Sequence, residues 1–148
     1  MKKSKTKVSK KLKKKQKKTK SKYFYGLGRR KTSVASLRLY EGKGDSTINK
    51  KLVTESYKNK RELSNLYEPL DVTETKDKFY FSCYTKGGGK YGQLDAIKLA
   101  LARAIMKYDE IYKKVLKSKK LITVDSRIIE RKKPGFRKAR KKQQYSKR

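Results

Sequence analysis

Residues 79–107 join a strand pattern to a helix pattern across a glycine turn, in the segment FYFSCYTKGGGKYGQLDAIKLALARAIMK. At its start, Phe79, Phe81 and Cys83 alternate with hydroxyl-bearing residues. This period of two predicts a strand over 79–85, in the centre of a sheet. After the glycines, apolar residues recur at spacings of three and four and predict a helix over 93–107. Alanines at 96, 100, 102 and 104 would let the helix axis lie close to the sheet.

Upstream of this unit the sequence predicts a second strand and two helices. Ala35, Leu37 and Leu39 form a half-buried strand pattern that stops at the turn signal EGKG, residues 41–44. We expect residues 47–49 to be its short antiparallel partner. A short helix around 52–57 follows. A further helix over 61–67 should end before Pro69, because proline disfavours helical geometry in the residue that precedes it.

Downstream of the long helix, one more helix is predicted over 110–117. Asp109 is placed to cap its N-terminus, and lysines gather near its C-terminal end, where they interact favourably with the helix dipole. Together these elements predict an α+β fold, a sheet with helices packed on one side.

Charge divides the chain into three parts. Residues 1–22 contain 13 Lys and no acid, and too few apolar residues to build a core. Residues 23–126 set 22 basic residues against 12 acids and hold the periodic segments, so we expect one folded domain there. Residues 127–148 form a basic C-terminal tail, in which 131–148 hold ten basic residues and no acid. We therefore predict extended basic arms at both ends of the domain.

Net charge indicates the class of partner. The chain of 148 residues has 46 Lys and Arg against 13 Asp and Glu, a formal net charge of +33. Like charges at this density oppose a compact state, so a polyanion is needed to screen them, and nucleic acid is the expected one. No apolar run is long enough to span a membrane, and neither arm has the apolar face of an interfacial helix. No membrane partner is expected.

Composition also argues against catalysis and metal binding. The single cysteine, Cys83, excludes an intramolecular disulfide and a Cys-based zinc site, and it is consistent with a reducing compartment. Histidine is absent, which removes the commonest general base near neutral pH and the commonest metal ligand. The carboxylates are scattered, without a pair arranged for acid–base chemistry. We predict no enzymatic activity, no metal and no cofactor.

The segment GLGRRKTS, residues 26–33, joins two glycines to Arg29, Arg30 and Lys31, just before the strand around 35–39. Flexible glycine backbone can approach a phosphate closely, and the three cations can neutralise it. An exposed loop with incidental charge is the alternative. The two basic arms favour the interpretation that this segment binds RNA.

The glycine turn KGGGKYGQ, residues 86–93, offers Lys86, Gly88 and Lys90 as contacts for an RNA backbone. A P-loop would require Lys and then Ser or Thr directly after its last glycine, whereas Gly92 is followed by Gln93. An ATP site is therefore not expected. A strand-to-helix turn that needs positive φ is the structural interpretation, and it is compatible with RNA binding.

Aromatic residues accompany the basic clusters. Of the 15 aromatic residues, 11 are tyrosines. Tyr23, Phe24, Tyr25 and Tyr145 lie beside cations, where their rings could stack on unpaired bases. For Tyr80 and Tyr84, packing within the fold is the favoured interpretation.

The tail RKKPGFRKARKKQQYSKR, residues 131–148, is the most specific segment. It closely resembles the C-terminus of the small-subunit ribosomal protein nine family, in its bacterial and organellar branch. Further segments resemble the same family in the same order: GRRKTSVA at 28–35, EPL at 68–70, KGGGKYGQ at 86–93, ARAIMKYD at 102–109 and LITVDSRIIERKKPG at 121–135. The resemblance covers residues 23–148 almost entirely and leaves the N-terminal arm outside.

The resemblance implies a fold and a function. The fold would be similar to the second domain of ribosomal protein five, with a left-handed βαβ crossover. The function would be that of a structural constituent of the small ribosomal subunit that binds rRNA of the subunit head, in the 3′ major domain, beside ribosomal proteins seven, ten and fourteen. The C-terminal tail would reach peptidyl-site tRNA and touch its backbone.

Site residues follow from the resemblance and the charge pattern together. The expected rRNA-binding residues are cations and one glycine of three segments: Arg29, Arg30, Lys31, Lys86, Gly88, Lys90, Arg131, Lys132, Lys133, Arg137, Lys138, Arg140, Lys141 and Lys142. The tip that matches the tRNA contact comprises Ser146, Lys147 and Arg148.

Two questions stay open from the sequence. The basic residues are skewed to 36 Lys against 10 Arg, as an AT-rich genome would produce. Pro134 in the tail, together with the N-terminal arm that begins at Met1, favours a mitochondrial ribosome, with a plastid or bacterial one as the alternative. Two other functions compete with the ribosomal one: a histone-like polycation that compacts DNA, and a nucleotide-dependent enzyme that uses the glycine turn. Both leave the ordered motifs unexplained.

Overall fold

The structure, a computed structural model, describes residues 22–147. Its elements in chain order are β1 (Tyr23–Arg30), β2 (Ser33–Glu41), β3 (Thr47–Ile48), β4 (Lys51–Leu52), α1 (Val53–Ser56), α2 (Lys60–Val72), β5 (Phe79–Lys86), α3 (Lys90–Tyr108) and α4 (Tyr112–Ser118). Apart from Lys22, the N-terminal arm lies outside the described residues. Between residues 22 and 147, no helix is long and apolar enough to cross a membrane.

The sheet has five strands in the order β1-β2-β5-β3-β4, with helices on one side of it. β2 is antiparallel to both of its neighbours, β1 and β5, whereas β3 runs parallel to β5 and antiparallel to β4. The predictions of a central strand at 79–85 and of a long helix after the glycine turn are confirmed by β5 and α3. Core residues such as Leu37, Phe81 and Leu101 are fully buried between the sheet and α3.

The prediction of a phosphate-approaching glycine loop at 26–28 is wrong. Gly26 and Gly28 belong to β1, paired with Leu37 and Ala35 of β2, and both are buried. A Cβ at Gly26 would lie 1.9 Å from the Ala100 carbonyl oxygen, so α3 packs on the bare backbone of β1. The predicted close approach of an alanine-rich helix to the sheet is confirmed, but the glycines serve this packing and not a ligand.

The predicted pairing of residues 47–49 with the strand around Leu37 is also wrong. The second edge of β2 is occupied by β5, in a register that pairs Leu37 with Cys83. β3 therefore pairs with β5 on one side and with β4 on the other. Asn49 and Lys50 form the turn between β3 and β4, with φ of 49° and 69°. The Asn49 side chain then bonds Thr85 at the edge of β5, accepting from its backbone N–H at 2.9 Å.

Helix boundaries differ from prediction at two places. The short helix predicted around 52–57 is present as α1, but α2 continues through Pro69 to Val72. Leu66 and Leu70, on either side of this proline, are fully buried, and their packing outweighs the hydrogen bond that proline cannot donate. The helix predicted over 110–117 is present as α4, but Asp109 does not cap it. Asp109 Oδ1 accepts from Ile111 N at 2.9 Å, before α4 begins.

Candidate nucleic-acid interface

Two loops meet at one end of the sheet and bring together two of the predicted basic segments. The Ser33 Oγ at the start of β2 donates to the Gly87 carbonyl oxygen at 3.2 Å, and Gln93 Nε2 of α3 donates to the same oxygen at 3.0 Å. A Cβ at Gly88 would lie 1.9 Å from Ser33 Oγ, so only glycine fits this contact. The turn from β1 to β2 and the turn from β5 to α3 are therefore locked side by side.

The φ angles explain the glycine turn. Gly87 and Gly88 have φ of 75° and 63°, values that favour glycine, which confirms the prediction of a strand-to-helix turn that needs positive φ. Lys31, in the facing turn, also has a positive φ of 53°. This geometry leaves the side chains of Arg29, Lys31 and Lys86 exposed around one corner of the domain. We call these three residues, with Lys90, the corner cluster.

Lys90 is paired within the domain as well as exposed. Its Nζ lies 2.8 Å from Glu62 Oε2 of α2 and 5.5 Å from the centre of the Tyr57 ring. Glu62 is buried, so the Lys90 ammonium supplies the counter-charge that this carboxylate needs. Lys90 thereby ties the beginning of α3 to α2, and it contributes less free positive charge to the corner cluster than its neighbours do.

Arg30 differs from the exposed cations beside it in sequence. Its Nε lies 3.5 Å from Asp95 Oδ2 on α3, and its Nη1 lies 2.9 Å from Asp125 Oδ2 after α4. The side chain is 21% exposed. Arg30 therefore links β1, α3 and the segment that leads into the C-terminal tail. We call this set of ion pairs the Arg30 bridge.

Asp125 is held by two arginines. Hydrogen bonds from the side chain and backbone of Arg127 lower the pKa of the Asp125 carboxyl well below its usual range, and the charge of Arg30 acts in the same direction. The carboxylate is therefore charged throughout the physiological pH range. It marks the point at which the chain leaves the domain.

The C-terminal tail has its own local structure. Between Arg127 and Lys147 no helix or strand is present, but an isolated antiparallel bridge joins Phe136 to Lys142. Arg137 N donates to the Lys141 carbonyl oxygen at 2.7 Å and closes this loop. Arg140 forms a two-pronged ion pair with Glu130, with Nε 2.8 Å from Oε2. The pair lowers the pKa of Glu130 through the hydrogen bond from Arg140.

Most predicted tail contacts are exposed. The exposed side chains are those of Arg131, Lys132, Lys133, Arg137, Lys138, Arg140, Lys141 and Lys142. Of these eight residues, Arg140 is the one that forms an ion pair with a carboxylate of the tail, that of Glu130. At the tip, Ser146 and Lys147 are exposed, whereas Arg148 lies outside the described residues. The fold thus presents two cationic regions, the corner cluster and the tail, connected through the Arg30 bridge.

The aromatic residues agree with the sequence predictions in part. Tyr80 stacks on Tyr40 with ring centres 5.2 Å apart, which confirms packing for this residue. Tyr84 is 63% exposed, so the packing predicted for it is wrong. Phe24 packs edge-on against Tyr108 and is not free to stack on a base. Tyr23 and Tyr25 remain half exposed, and Tyr145 is fully exposed.

Arg38 is an exposed cation that sequence reasoning missed. It lies on β2 between the buried Leu37 and Leu39, and its guanidinium lies 5.2 Å from the centre of the Tyr23 ring. The alternation of β2 could have indicated it, since residues 36, 38 and 40 share the face opposite the core. In the part of the chain that the structure describes, no group of three His, Cys, Asp or Glu side chains could hold a metal ion.

Comparisons with known proteins agree with the architecture and the charge pattern. The family model for ribosomal protein S9/S16 matches residues 28–148. The protein named small ribosomal subunit protein uS9 of Mycoplasmopsis pulmonis is 45% identical over 125 residues, which cover 84% of this chain and 92% of that protein. The protein of the same name from Pseudothermotoga lettingae is 47% identical over 128 residues, covering 84% of this chain and 96% of the relative.

A third relative extends the bacterial range. Small ribosomal subunit protein uS9 of Chlorobium limicola is 45% identical over 122 residues, covering 82% of this chain and 95% of that protein. These relatives are bacterial, so they support the bacterial alternative and give no support to the mitochondrial origin that Pro134 and the N-terminal arm suggested. With the family model matching most of its length, the chain belongs to the ribosomal protein S9 family, a family of structural ribosomal proteins and not of enzymes.

Proposed function

We propose that this chain is a structural constituent of the small subunit of a bacterial ribosome and supports translation by binding rRNA of the subunit head. The observation that carries the proposal is the separation of charge in the fold. Within residues 22–147, carboxylates neutralise Arg30, Lys90 and Arg140, while the remaining predicted site cations point outward without such a partner. Exposed cations of this kind bind RNA phosphates, and this binding releases the counterions that surround the RNA.

The corner cluster and the tail are proposed to bind rRNA in different ways. The corner cluster sits on two interlocked turns, so its cations have fixed spacing and would meet one defined fold of the RNA backbone. The tail cations stand on a segment without helix or strand, which can follow a groove between RNA helices. Residues 1–22 carry 13 Lys and would add further phosphate contacts.

The tail tip is proposed to contact peptidyl-site tRNA. An extended chain rises about 3.3 Å per residue, so a tail of this length can reach several tens of ångströms from the domain. The loop closed by Phe136 and Lys142 shortens that reach but leaves residues 143–148 beyond it. Lys147 and Arg148 would hold the tRNA backbone by charge, and Ser146 by hydrogen bonding, without reading its sequence.

Two finer expectations belong to the same proposal. The sheet, with β3 parallel to the central strand β5, is proposed to contain the left-handed crossover of the second domain of ribosomal protein five. Neighbours in the subunit are proposed to be ribosomal proteins seven, ten and fourteen, with the domain on the 3′ major domain of the rRNA. The family resemblance supports both expectations.

Co-sedimentation tests the proposal. An epitope-tagged full chain, expressed in a bacterial host, should sediment with small subunits and with whole ribosomes at moderate salt. Crosslinking followed by sequencing of the attached nucleic acid should recover small-subunit rRNA. A chain found free of ribosomes, or attached mainly to DNA, would reject the proposal and favour the histone-like alternative. High-affinity ATP binding that survives high salt would favour the nucleotide-dependent one.

A further inference from the structure

One face of the sheet is left uncovered by the helices. Strand register places the side chains of this face opposite the core-facing ones, and we call it the open face. Its members on the three long strands are Tyr23, Tyr25, Leu27 and Arg29 of β1, Val34, Ser36, Arg38 and Tyr40 of β2, and Tyr80, Ser82, Tyr84 and Lys86 of β5. None of these residues is acidic, three are basic and five are tyrosines. The open face therefore combines positive charge with aromatic rings.

Tyr84 occupies the centre of the open face. It lies on the central strand β5, opposite Ser36 of β2, and its side chain is 63% exposed. The small Ser36 side chain leaves the flank of the Tyr84 ring accessible. An exposed tyrosine at the middle of a sheet buries little apolar area in the isolated domain, so packing within the fold does not explain it.

Two grooves flank the Tyr84 ring. One, of about 410 Å³, is lined by Tyr84, Ser36, Arg38 and Lys50 among others. The second, of about 420 Å³, is lined by Tyr84, Ser36, Val34 and Lys86 among others. Each groove thus has the tyrosine ring on one side and at least one exposed cation along its length. Arg38 pairs with Ser82, four residues before Lys86, which places the two cations about 13 Å apart along the strands.

We propose that the open face binds an unpaired stretch of RNA, with one base stacked on Tyr84 and the flanking phosphates on Arg38 and Lys86. The inference rests on the proposed rRNA binding and names a further surface for it. A base within a duplex is already stacked between its neighbours, and only an unpaired base can present its face to a tyrosine ring. The two grooves, one on each side of the ring and each with a cation, match a chain that alternates bases and phosphates.

Charge decides between RNA and a protein as occupant. A protein partner would have to cover the exposed cations of this face, and the open-face residues include no carboxylate that could pair with the partner's own cations. Covering Arg38 and Lys86 with apolar surface would leave their charges unpaired, which is unfavourable. RNA supplies both the phosphates and the aromatic faces.

The test uses the full chain and two RNA probes of equal phosphate number: a single-stranded oligouridylate and a blunt duplex. Affinities are measured at a salt concentration high enough to weaken binding that depends on charge alone. The variants are Tyr84→Leu, Tyr84→Phe and, as the matched control, Tyr91→Leu. Tyr91 is 73% exposed and lies on α3, away from the open face. Thermal unfolding of each variant verifies that the fold is retained.

Tyr84→Leu should weaken binding of the single strand about tenfold, as expected for loss of one stacked base, and leave duplex binding unchanged. Tyr84→Phe keeps the ring and should bind like the parent chain, as should Tyr91→Leu. Equal single-strand affinities for Tyr84→Leu and Tyr91→Leu would overturn the inference. The proposed function would stand in that case, provided that the chain still co-sediments with small subunits. Failure of co-sedimentation by the parent chain would reject the proposed function itself.

Position 82 provides a second readout in the assembled subunit. A photo-crosslinking amino acid in place of Ser82, which is exposed beside Arg38, should attach mainly to rRNA. Attachment mainly to a ribosomal protein would overturn the inference and identify the open face as a protein interface.

Discussion

Gly28 on β1 and Ala96 on α3 touch through their backbones: a Cβ at Gly28 would lie 1.9 Å from the Ala96 carbonyl oxygen. The helix therefore rests directly on the strand, without side chains between them. A side chain at position 28 could be accommodated only if α3 moved, because the obstructing atom belongs to the backbone of this long helix.

Gly28→Ala should strongly destabilise the domain. One added methyl group forces α3 away from β1 and opens the contact that the alanines of α3 make with the sheet. We expect the free energy of unfolding to fall by about 3 kcal/mol. Urea unfolding of the full chain, followed by circular dichroism, measures this change.

Gly89→Ala is the matched control for that substitution. Gly89 has an ordinary negative φ of −106°, and a Cβ there would meet no atom within 4 Å. Its substitution should change the free energy of unfolding by less than about 1 kcal/mol. Similar losses for the two variants would contradict the assigned role of Gly28.

Arg29 and Arg30 should separate binding from stability. Arg30→Gln breaks the Arg30 bridge and should lower the free energy of unfolding by about 1 kcal/mol, because the guanidinium is largely shielded from water. Arg29→Gln removes an exposed cation and should leave stability within about 0.5 kcal/mol of the parent chain.

The rRNA affinities of the same two variants complete this comparison. Arg29→Gln should weaken binding and reduce the slope of log affinity against log salt by about 1, as expected for loss of one phosphate contact. Filter binding over a range of salt concentrations measures the slope. An Arg29→Gln variant with the parent slope would show that Arg29 does not contact phosphate.

Removal of residues 146–148 should affect tRNA and not assembly. Small subunits that contain the shortened chain should form normally, because the corner cluster and the rest of the tail are retained, yet bind peptidyl-site tRNA more weakly. The matched control removes residues 2–4, which are Lys, Lys and Ser and therefore carry the same charge and hydroxyl. Loss of tRNA affinity in both truncations, or in neither, would reject a specific role for the tip.

Alkaline pH should unfold the domain in part through Tyr57. Burial, and then the charge of Glu62, raise the pKa of Tyr57 from 10.0 to about 12. The folded state therefore favours the protonated phenol. The stability that it contributes is complete below pH 10 and is lost as pH rises toward 12. Each such group steepens the loss of unfolding free energy by at most about 1.4 kcal/mol per pH unit.

Tyr57→Phe removes this ionisation and should flatten the dependence of the unfolding free energy on pH between 10 and 12. Tyr91→Phe, at an exposed position, should not. Burial also raises the pKa of the Cys83 thiol to about 12, so some alkaline dependence should persist in both variants. Identical pH profiles for Tyr57→Phe and the parent chain would contradict the prediction.

Hydrophobic periodicity predicted the elements in which buried and exposed residues alternate regularly from end to end. β5 alternates in burial along its whole length, and α3 buries a broad face of alanines and aliphatic residues, so strand and helix were both evident. β1 was missed because two of its core-facing positions, Gly26 and Gly28, are glycines, which give no apolar signal and resemble a loop. Their spacing of two, opposite alanines on a helix, was the available indication.

Pairings between distant segments could not be predicted in the same way. The parallel pairing of Ile48 with Cys83 joins segments that are separated in sequence by two helices. The local sequence pattern does not indicate which distant segment a strand pairs with. For the candidate site, charge and motifs located the exposed cations well. They could not reveal that Arg30 and Lys90 are engaged by Asp125, Asp95 and Glu62, because those carboxylates are distant in sequence.

The Arg30 bridge determines how the domain withstands a mechanical load on its tail. A pull on the residues beyond Arg127 reaches Asp125 first, and from there Arg30 on β1 and Asp95 on α3. The force then acts on the strand and helix that pack most extensively on each other. A pull on the tail is therefore shared between the backbone that follows α4 and the packed body of the domain.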